Sequence, residues 1–268
     1  MPENSQRESF VVVHATDLRP DAGTTLDHGV AIARRGGGRL VTLHVSEKLS
    51  AESMSDPEHV VASAALQDLD VPHHEVVCRI GEKPKKGLVN SLRDNDADLL
   101  IVGTRQQVNQ PKGFRGSVSE VAALDAPVPT LVVHIGQQGL VDDADNFELR
   151  RILLPVGDGE EGRDAIRGTT EFLDRLDIDD VDIFLLRVGG GDILEHLTIP
   201  EREGWRWHRE TRQGFVSNVI GEVCEEKDID LIAMATRGQD GVIDVFSGTH
   251  TQKVIRRVPR PLLVIPMK

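Results

Sequence analysis

The sequence predicts an α/β protein built as two tandem, doubly wound parallel sheets of five strands each. Two observations carry this. Residues 98–133, DLLIVGTRQQVNQPKGFRGSVSEVAALDAPVPTLVV, recur at 230–265 as DLIAMATRGQDGVIDVFSGTHTQKVIRRVPRPLLVI. Asp98 falls on Asp230, Thr104 and Arg105 on Thr236 and Arg237, Gly116 on Gly248, and Pro127 and Pro129 on Pro259 and Pro261. Short continuous apolar runs also alternate with helix-period segments, and strands of that kind are the ones buried on both faces of a parallel sheet. The duplication divides the chain into a first domain at 1–138, a linker at 139–149 and a second domain at 150–268.

In the first half, FVVVHAT at 10–16 is an apolar strand ended by Asp17, and LRPDAG is turn chemistry. From Thr24 the apolar residues Leu26, Val30 and Ala33 recur at helical spacing, with Thr24 or Thr25 as N-cap. Gly36, Gly37 and Gly38 stop that helix. RLVTLHV at 39–45 is the second strand. Asp56-Pro57-Glu58 opens a helix to Asp68, because Pro suits the first helical turn and acid suits its dipole. HEVVCRI at 74–80 is strand three, 83–95 a helix, 98–102 strand four, Ser117–Leu124 a helix and 129–134 strand five. The prolines of strand five read as setting an edge strand. That edge is the natural place for the two halves to pair, and a homodimer of whole chains is compatible with it.

After the Gly- and Asp-containing linker, the second half repeats the order. RILLPV at 151–156 is a strand, followed by a helix to Leu176. VDIFLLRV at 181–188 is the next strand, and 189–204 reads as irregular. WRWHR at 205–209 alternates like a half-buried strand, which puts both Trp side chains on one face, where they cover the sheet, pack under a helix, or mark a partner surface or stacking platform. A helix at 215–227, a strand at 230–234, a helix at 249–257 and a strand at 262–266 complete the unit. In such sheets ligands sit beyond the C-terminal strand ends, where the strand order reverses. Asp17, Val45 and Gly103 stand at those ends. A loop that runs from strand four into a helix N-terminus can hold a phosphate on its backbone N–H groups.

Composition excludes several classes. The net charge of −13 disfavours phosphate-backbone partners, so no nucleic acid is expected. No apolar run reaches the length of a membrane span. The opening MPENSQRES lacks the apolar core of a secretory signal, and two cysteines, Cys78 and Cys224, make no framework; the expectation is a cytoplasmic protein with buried thiols. Only eight of 31 basic residues are Lys, an acidic and Lys-poor balance like that of proteins from salt-accumulating organisms. His14, His44 and His134 lie on strands at no ligand spacing and read as core or rim residues.

Both halves resemble universal stress protein domains, over nearly all of the chain outside the first residues and the linker. The family's nucleotide-binding members carry G-x2-G-x9-G-[ST] after strand four and an Asp ending strand one. The first half reads Gly103-x2-Gln106-x9-Gly116-Ser117, followed by Val118, with Asp17 in place. The second reads Ala235-x2-Gly238-x9-Gly248-Thr249, with Gly157 at the Asp position and Asp158 one place later. The resemblance implies a Rossmann-like, adenine nucleotide α-hydrolase-like fold. It also implies an ATP site, with or without Mg, formed by Asp17, Val45, Gly103, Arg105, Gln106, Gly116, Ser117 and Val118. The second-half set is Val156, Val188, Ala235, Gly238, Gly248 and Thr249. Gln106 adds a side chain where the family has Gly, so it either blocks the site or donates its amide to a phosphate. Lys112 and Arg115, inside the same loop, could supply charge-assisted contacts.

Two functions follow from the resemblance. One is a non-enzymatic ATP-binding stress-response regulator. The other is a scaffold of the same fold that pairs without nucleotide. An adenylating or ATP-cleaving enzyme would want an SGGxDS loop or a HIGH signature, and neither is present. No Ser/His/Asp or paired-carboxylate constellation can be assembled either.

Overall fold

The structure is a computed structural model and describes residues 10–17, 23–46, 71, 73–80, 83–105, 118–137, 139–142, 146–237 and 249–267. The first half runs β1 (Val11–Ala15), α1 (Gly23–Arg35), β2 (Arg39–Ser46), β3 (His73–Ile80), α2 (Pro84–Asp94), β4 (Leu99–Thr104), α3 (Val118–Asp125) and β5 (Thr130–His134). A short arm holds β6 (Val141–Asp142) and β7 (Asn146–Phe147). The second half runs β8 (Arg151–Val156), α4 (Gly159–Arg175), β9 (Val181–Val188), a 3-10 turn at Ile193–His196 and β10 (Trp205–Arg212). It ends with α5 (Val216–Glu226), β11 (Leu231–Thr236), α6 (Thr249–Arg257) and β12 (Leu262–Pro266). The helix expected at 56–68 lies outside the described residues.

Ten strands form one sheet in the order β10-β9-β8-β11-β12-β5-β4-β1-β2-β3. Every neighbouring pair is parallel except β5 and β12, which meet antiparallel with Leu131 opposite Leu263. Each half therefore has strand order 3-2-1-4-5. The order reverses at β1, which pairs with both β2 and β4, and at β8, which pairs with both β9 and β11. Helices α1 and α4 cover one face and α2, α3, α5 and α6 the other. Alternate residues of each strand feed opposite layers: Val12 and Ile101 pack with Ile32 of α1, while Val13 and Leu100 pack with Leu92 of α2. Each such side chain, removed from water, contributes about 1.5–3 kcal/mol.

The duplicated aspartates have a structural use that explains their spacing. Asp98 Oδ2 accepts the Val11 N–H at 2.8 Å, and Asp230 Oδ2 accepts the Arg150 and Arg151 N–H groups at 2.8 Å. Each fixes the start of its half's central strand. The chain turns out of α1 through Gly37 at φ 62 and out of α4 through Asp177 at φ 54. At Gly38 a side chain would run into the Phe10 carbonyl, so only Gly fits.

One expectation changes, and one element is longer than expected. The prolines before β5 and β12 do not mark sheet edges; those two strands pair with each other, and the sheet ends at β3 and β10. Pro129 and Pro261 still serve the ladder, because their carbonyls accept from Leu100 and Ile232. The Trp strand extends to Arg212 as an edge strand beside β9. Trp205 is buried with its Nε1 donating to the Ile178 carbonyl at 2.9 Å, and Trp207 packs on the same core. Within the linker, described residues 139–142 and 146–149 lie against α1, with Val141 paired to Phe147 and Leu140 and Leu149 in the core. The Leu140 N–H donates to His28 Nε2 at 2.9 Å, and His28 Nδ1 donates to the Thr24 carbonyl at 2.6 Å.

Candidate functional site

The C-terminal ends of β1, β2 and β4 leave a cleft of about 210 Å³ in the first half. It sits at the strand-order reversal, where helices leave on opposite faces and cannot fill the gap between them. Ala15, Thr16 and Asp17 come from β1 and the residues after it, Leu43, His44 and Val45 from β2, and Val102, Gly103 and Arg105 from β4 and its exit. Thr25 of α1, Leu88 of α2, Ala122 of α3 and Ile135 after β5 close the sides. The floor is thus apolar, with a few polar groups converging on it, the usual make-up of a small-molecule site.

Four sequence-predicted residues therefore meet in this cleft: Asp17, Val45, Gly103 and Arg105. Arg105 donates to Asp17 Oδ2 at 3.1 Å across its mouth. Gly103 has a packing reason to be Gly, since a Cβ there would lie 2.9 Å from both Ile135 and Thr25. Thr25 Oγ1 lies 2.9 Å from His14 Nε2, and His44 Nδ1 donates to the Thr16 carbonyl at 2.9 Å, so two of the wall residues are held from behind. His14 and His44 act here as structural residues. Gln106, Gly116 and Ser117 lie outside the described residues, and Val118 opens α3.

In the second half, side chains of the protein lie over the corresponding strand ends. Arg187, which stands where β2 has His44, donates to the carbonyls of Val156 and Gly157. A side chain at Gly157 would collide with the Glu161 carboxylate, which already occupies that place. Asp158 caps α4 by accepting the Glu160 and Glu161 N–H groups at 2.9 and 2.8 Å. Arg237 bridges to Asp158 at 3.3 Å and Glu160 at 2.7 Å. Burial raises the Glu161 pKa, with a further push from the Asp158 charge. Val156 is buried beneath α4, Val188 is half-buried on the opposite layer, and Ala235 is half-buried against the core. Thr249 opens α6, and Gly238 and Gly248 lie outside the described residues.

Sequence reading did not pick out Thr16, Leu88, Ala122 and Ile135 as wall residues, because they arrive from four separate elements. Arg187 and Glu161 did leave a trace: one is a cation inside the apolar strand VDIFLLRV, the other an acid directly after the strand-one turn. Among the described residues no group of three or more His, Cys, Asp or Glu side chains converges as metal ligands. No helix among them is long and apolar enough to cross a membrane. Cys224 is buried and its thiol is pushed up to about 12 by that burial, which makes it unreactive.

Fold and site together define a doubly wound α/β protein with two switch points, one bearing a cleft and one with Arg187 and Glu161 over its strand ends. The universal stress protein family model matches residues 10–134 and 194–266, and the chain belongs to that family. A universal stress protein of Methanocaldococcus jannaschii is 33% identical over 82 residues, covering 30% of this chain and 48% of that protein. One from Mycolicibacterium smegmatis is 28% identical over 127 residues, covering 46% of this chain and 95% of that protein. The chain thus spans about half the length of the first relative and nearly all of the second. The crystal structure of a universal stress protein from Archaeoglobus fulgidus superposes with a TM-score of 0.73 at 20% identity, covering 97% of this chain and 100% of that one.

Proposed function

We propose that this chain is a non-enzymatic, adenine-nucleotide-binding regulator of the universal stress type, acting in the cytoplasm, with ATP taken by the first domain alone. The observation that carries this is the asymmetry of the two switch points: the first has an apolar-floored cleft, and at the second Arg187 and Glu161 lie over the strand ends. The open cleft, about 210 Å³, is smaller than the ~300 Å³ at which pockets for drug-sized ligands begin. It suits the base and sugar, with Arg105 at the mouth on the side where phosphates would extend. Gly103 keeps the wall thin enough for that ring system to enter. The domains divide at 139–149. Their β5–β12 seam substitutes within one chain for the pairing of two single-domain subunits, which leaves a homodimer unnecessary for stability.

Equilibrium binding of labelled ATP tests the reading. One saturable site per chain is expected, unchanged when Arg187 is replaced by Ala and lost when Gly103 is replaced by Val. An absence of binding at millimolar ATP in the folded protein would leave the chain a scaffold without nucleotide.

A further inference from the structure

The duplication exposes a difference in charge between the helices that cover the second layer. The offset that sets Asp98 on Asp230 also sets α2, Pro84–Asp94, on α5, Val216–Glu226, and Asp125 of α3 on Arg257 of α6. In the first half Lys85 of α2 is paired with Asp125 of α3. In the second half those positions are Ser217 and Arg257, and the Arg257 guanidinium reaches only neutral acceptors, Ser217 Oγ at 3.4 Å and Asn218 Oδ1 at 3.5 Å. Val118 and Val121 of α3 likewise correspond to His250 and Lys253 of α6. His250, Lys253 and Arg257 are exposed on one face of α6, while Thr251, Val254 and Ile255 are buried on the other. The basic side chains are thus additions to a helix whose packing other residues carry.

Those three residues border a groove of about 360 Å³ whose other walls are Phe215, Val216, Ser217 and Asn218. No wall residue is acidic, and among the described residues no carboxylate pairs with Lys253 or Arg257. Phe215, directly before α5, is the one large apolar side chain exposed among the described residues, at 81%. The first turn of α5 has neither a side-chain cap nor an acid, so the positive end of its dipole lies at the same groove. We propose that this groove docks an acidic segment of a partner protein in extended conformation, with carboxylates at alternate positions and an apolar side chain beside them. The carboxylates meet Lys253 and Arg257, and the apolar side chain packs on Phe215. Lys253 and Arg257 stand four residues apart, about 6 Å along α6, close to the ~6.6–6.8 Å between same-face residues of an extended chain. That spacing suits a pair of carboxylates better than one phosphate. The chain as a whole carries −13, but charges are screened over about 8 Å at physiological salt, so a docked segment senses the local cations first. The groove belongs to the second half and the nucleotide cleft to the first, so the two readings stand or fall separately.

The probe is a fluorescently labelled peptide, GDLDLDG, titrated into the full chain and followed by anisotropy. Saturable binding is expected, weakening as salt rises from about 0.05 to about 0.5 M. Lys253→Glu and Phe215→Ser should each weaken it about tenfold or more. Both side chains are exposed, so both variants should melt close to the parent. Ser217→Asp gives Arg257 a carboxylate partner, as Lys85 has in the first half, and should weaken binding without altering any charge on α6. Absence of binding at millimolar peptide overturns the proposal, as does equal binding of GNLNLNG or full affinity in Lys253→Glu. Two further outcomes also overturn it by giving the groove another occupant. One is tighter binding of a peptide with a single phosphoserine in place of the aspartates; the other is self-association of the chain, seen by sedimentation, that Lys253→Glu abolishes.

Discussion

Arg105 reaches back across the cleft to Asp17 at 3.1 Å, and Arg237 makes the matching contact to Asp158 at 3.3 Å. A similar ion pair thus stands at both switch points, but with different consequences. Asp158 is committed to capping α4, whereas Asp17 borders the first-half cleft. Both members of the Asp17–Arg105 pair are more than a third exposed, so the pair contributes no more than about 1 kcal/mol. Arg105→Ala should therefore leave the melting temperature nearly unchanged while weakening ATP about tenfold and leaving adenosine affinity as it was. Isothermal titration with both ligands checks this. An equal loss for adenosine would show that Arg105 does not meet the phosphates.

Gly103→Val tests the cleft by volume. A Cβ alone would press within 2.9 Å of Ile135 and Thr25, and overpacking of this kind costs about 1–3 kcal/mol. The variant should melt lower and show no saturable ATP binding. Gly103→Ala, with the same wall but less bulk, should lie between the two.

Glu161→Gln should stabilise the protein at neutral pH. Burial raises the Glu161 pKa above its ordinary 4.5, so the folded state holds this proton more tightly than the unfolded chain. Stability from this group is then full below pH 4.5 and declines as pH rises through the higher folded value. The glutamine variant removes that decline. Thermal melts from pH 4 to 8 should show the variant's advantage growing with pH and vanishing at the acid end.

His28 titrates in the opposite sense. Burial lowers its pKa from 6.5, and its neutral ring both donates to Thr24 and accepts from Leu140. The arm's anchorage is thus complete above pH 6.5 and is lost as pH falls through the lower folded value. His28→Leu leaves a buried N–H without an acceptor, at a cost of about 1–3 kcal/mol. Hydrogen exchange at Leu140 should accelerate in that variant at all pH values, and in the parent only on acidification.

Asp182 sets the acid limit of the β9–β10 edge. Hydrogen bonds from Arg206, then from His208, hold its carboxyl at about 2 against an ordinary 3.8. Its contribution is present above pH 3.8 and lost as pH falls toward 2. Asp182→Asn should flatten the fall in melting temperature across that interval, and Trp205 fluorescence on the neighbouring strand gives a local readout.

The chain's periodicity and its repeat determined the element order, the parallel sheets and the location of the cleft. Continuous apolar runs such as VVVHA and LLIVGT can only be strands buried on both faces, and a doubly wound sheet has one crevice per reversal. The sequence also placed Asp17, Val45 and Gly103 at that crevice, because strand ends can be read from where apolar runs stop, while Arg105 came only from the family resemblance. Only the tertiary structure decided which crevice stays open. Glu161 and Arg187 look like ordinary surface charges in the sequence, and whether their long side chains turn outward or fold back over Gly157 depends on which carbonyls and cations lie within reach. The same holds for the arm. Residues 139–149 carry too few apolar residues for a period to be read, and Leu140 is buried because α1 presents His28 and an apolar groove at the right distance, a relationship between segments that one-dimensional patterning does not encode.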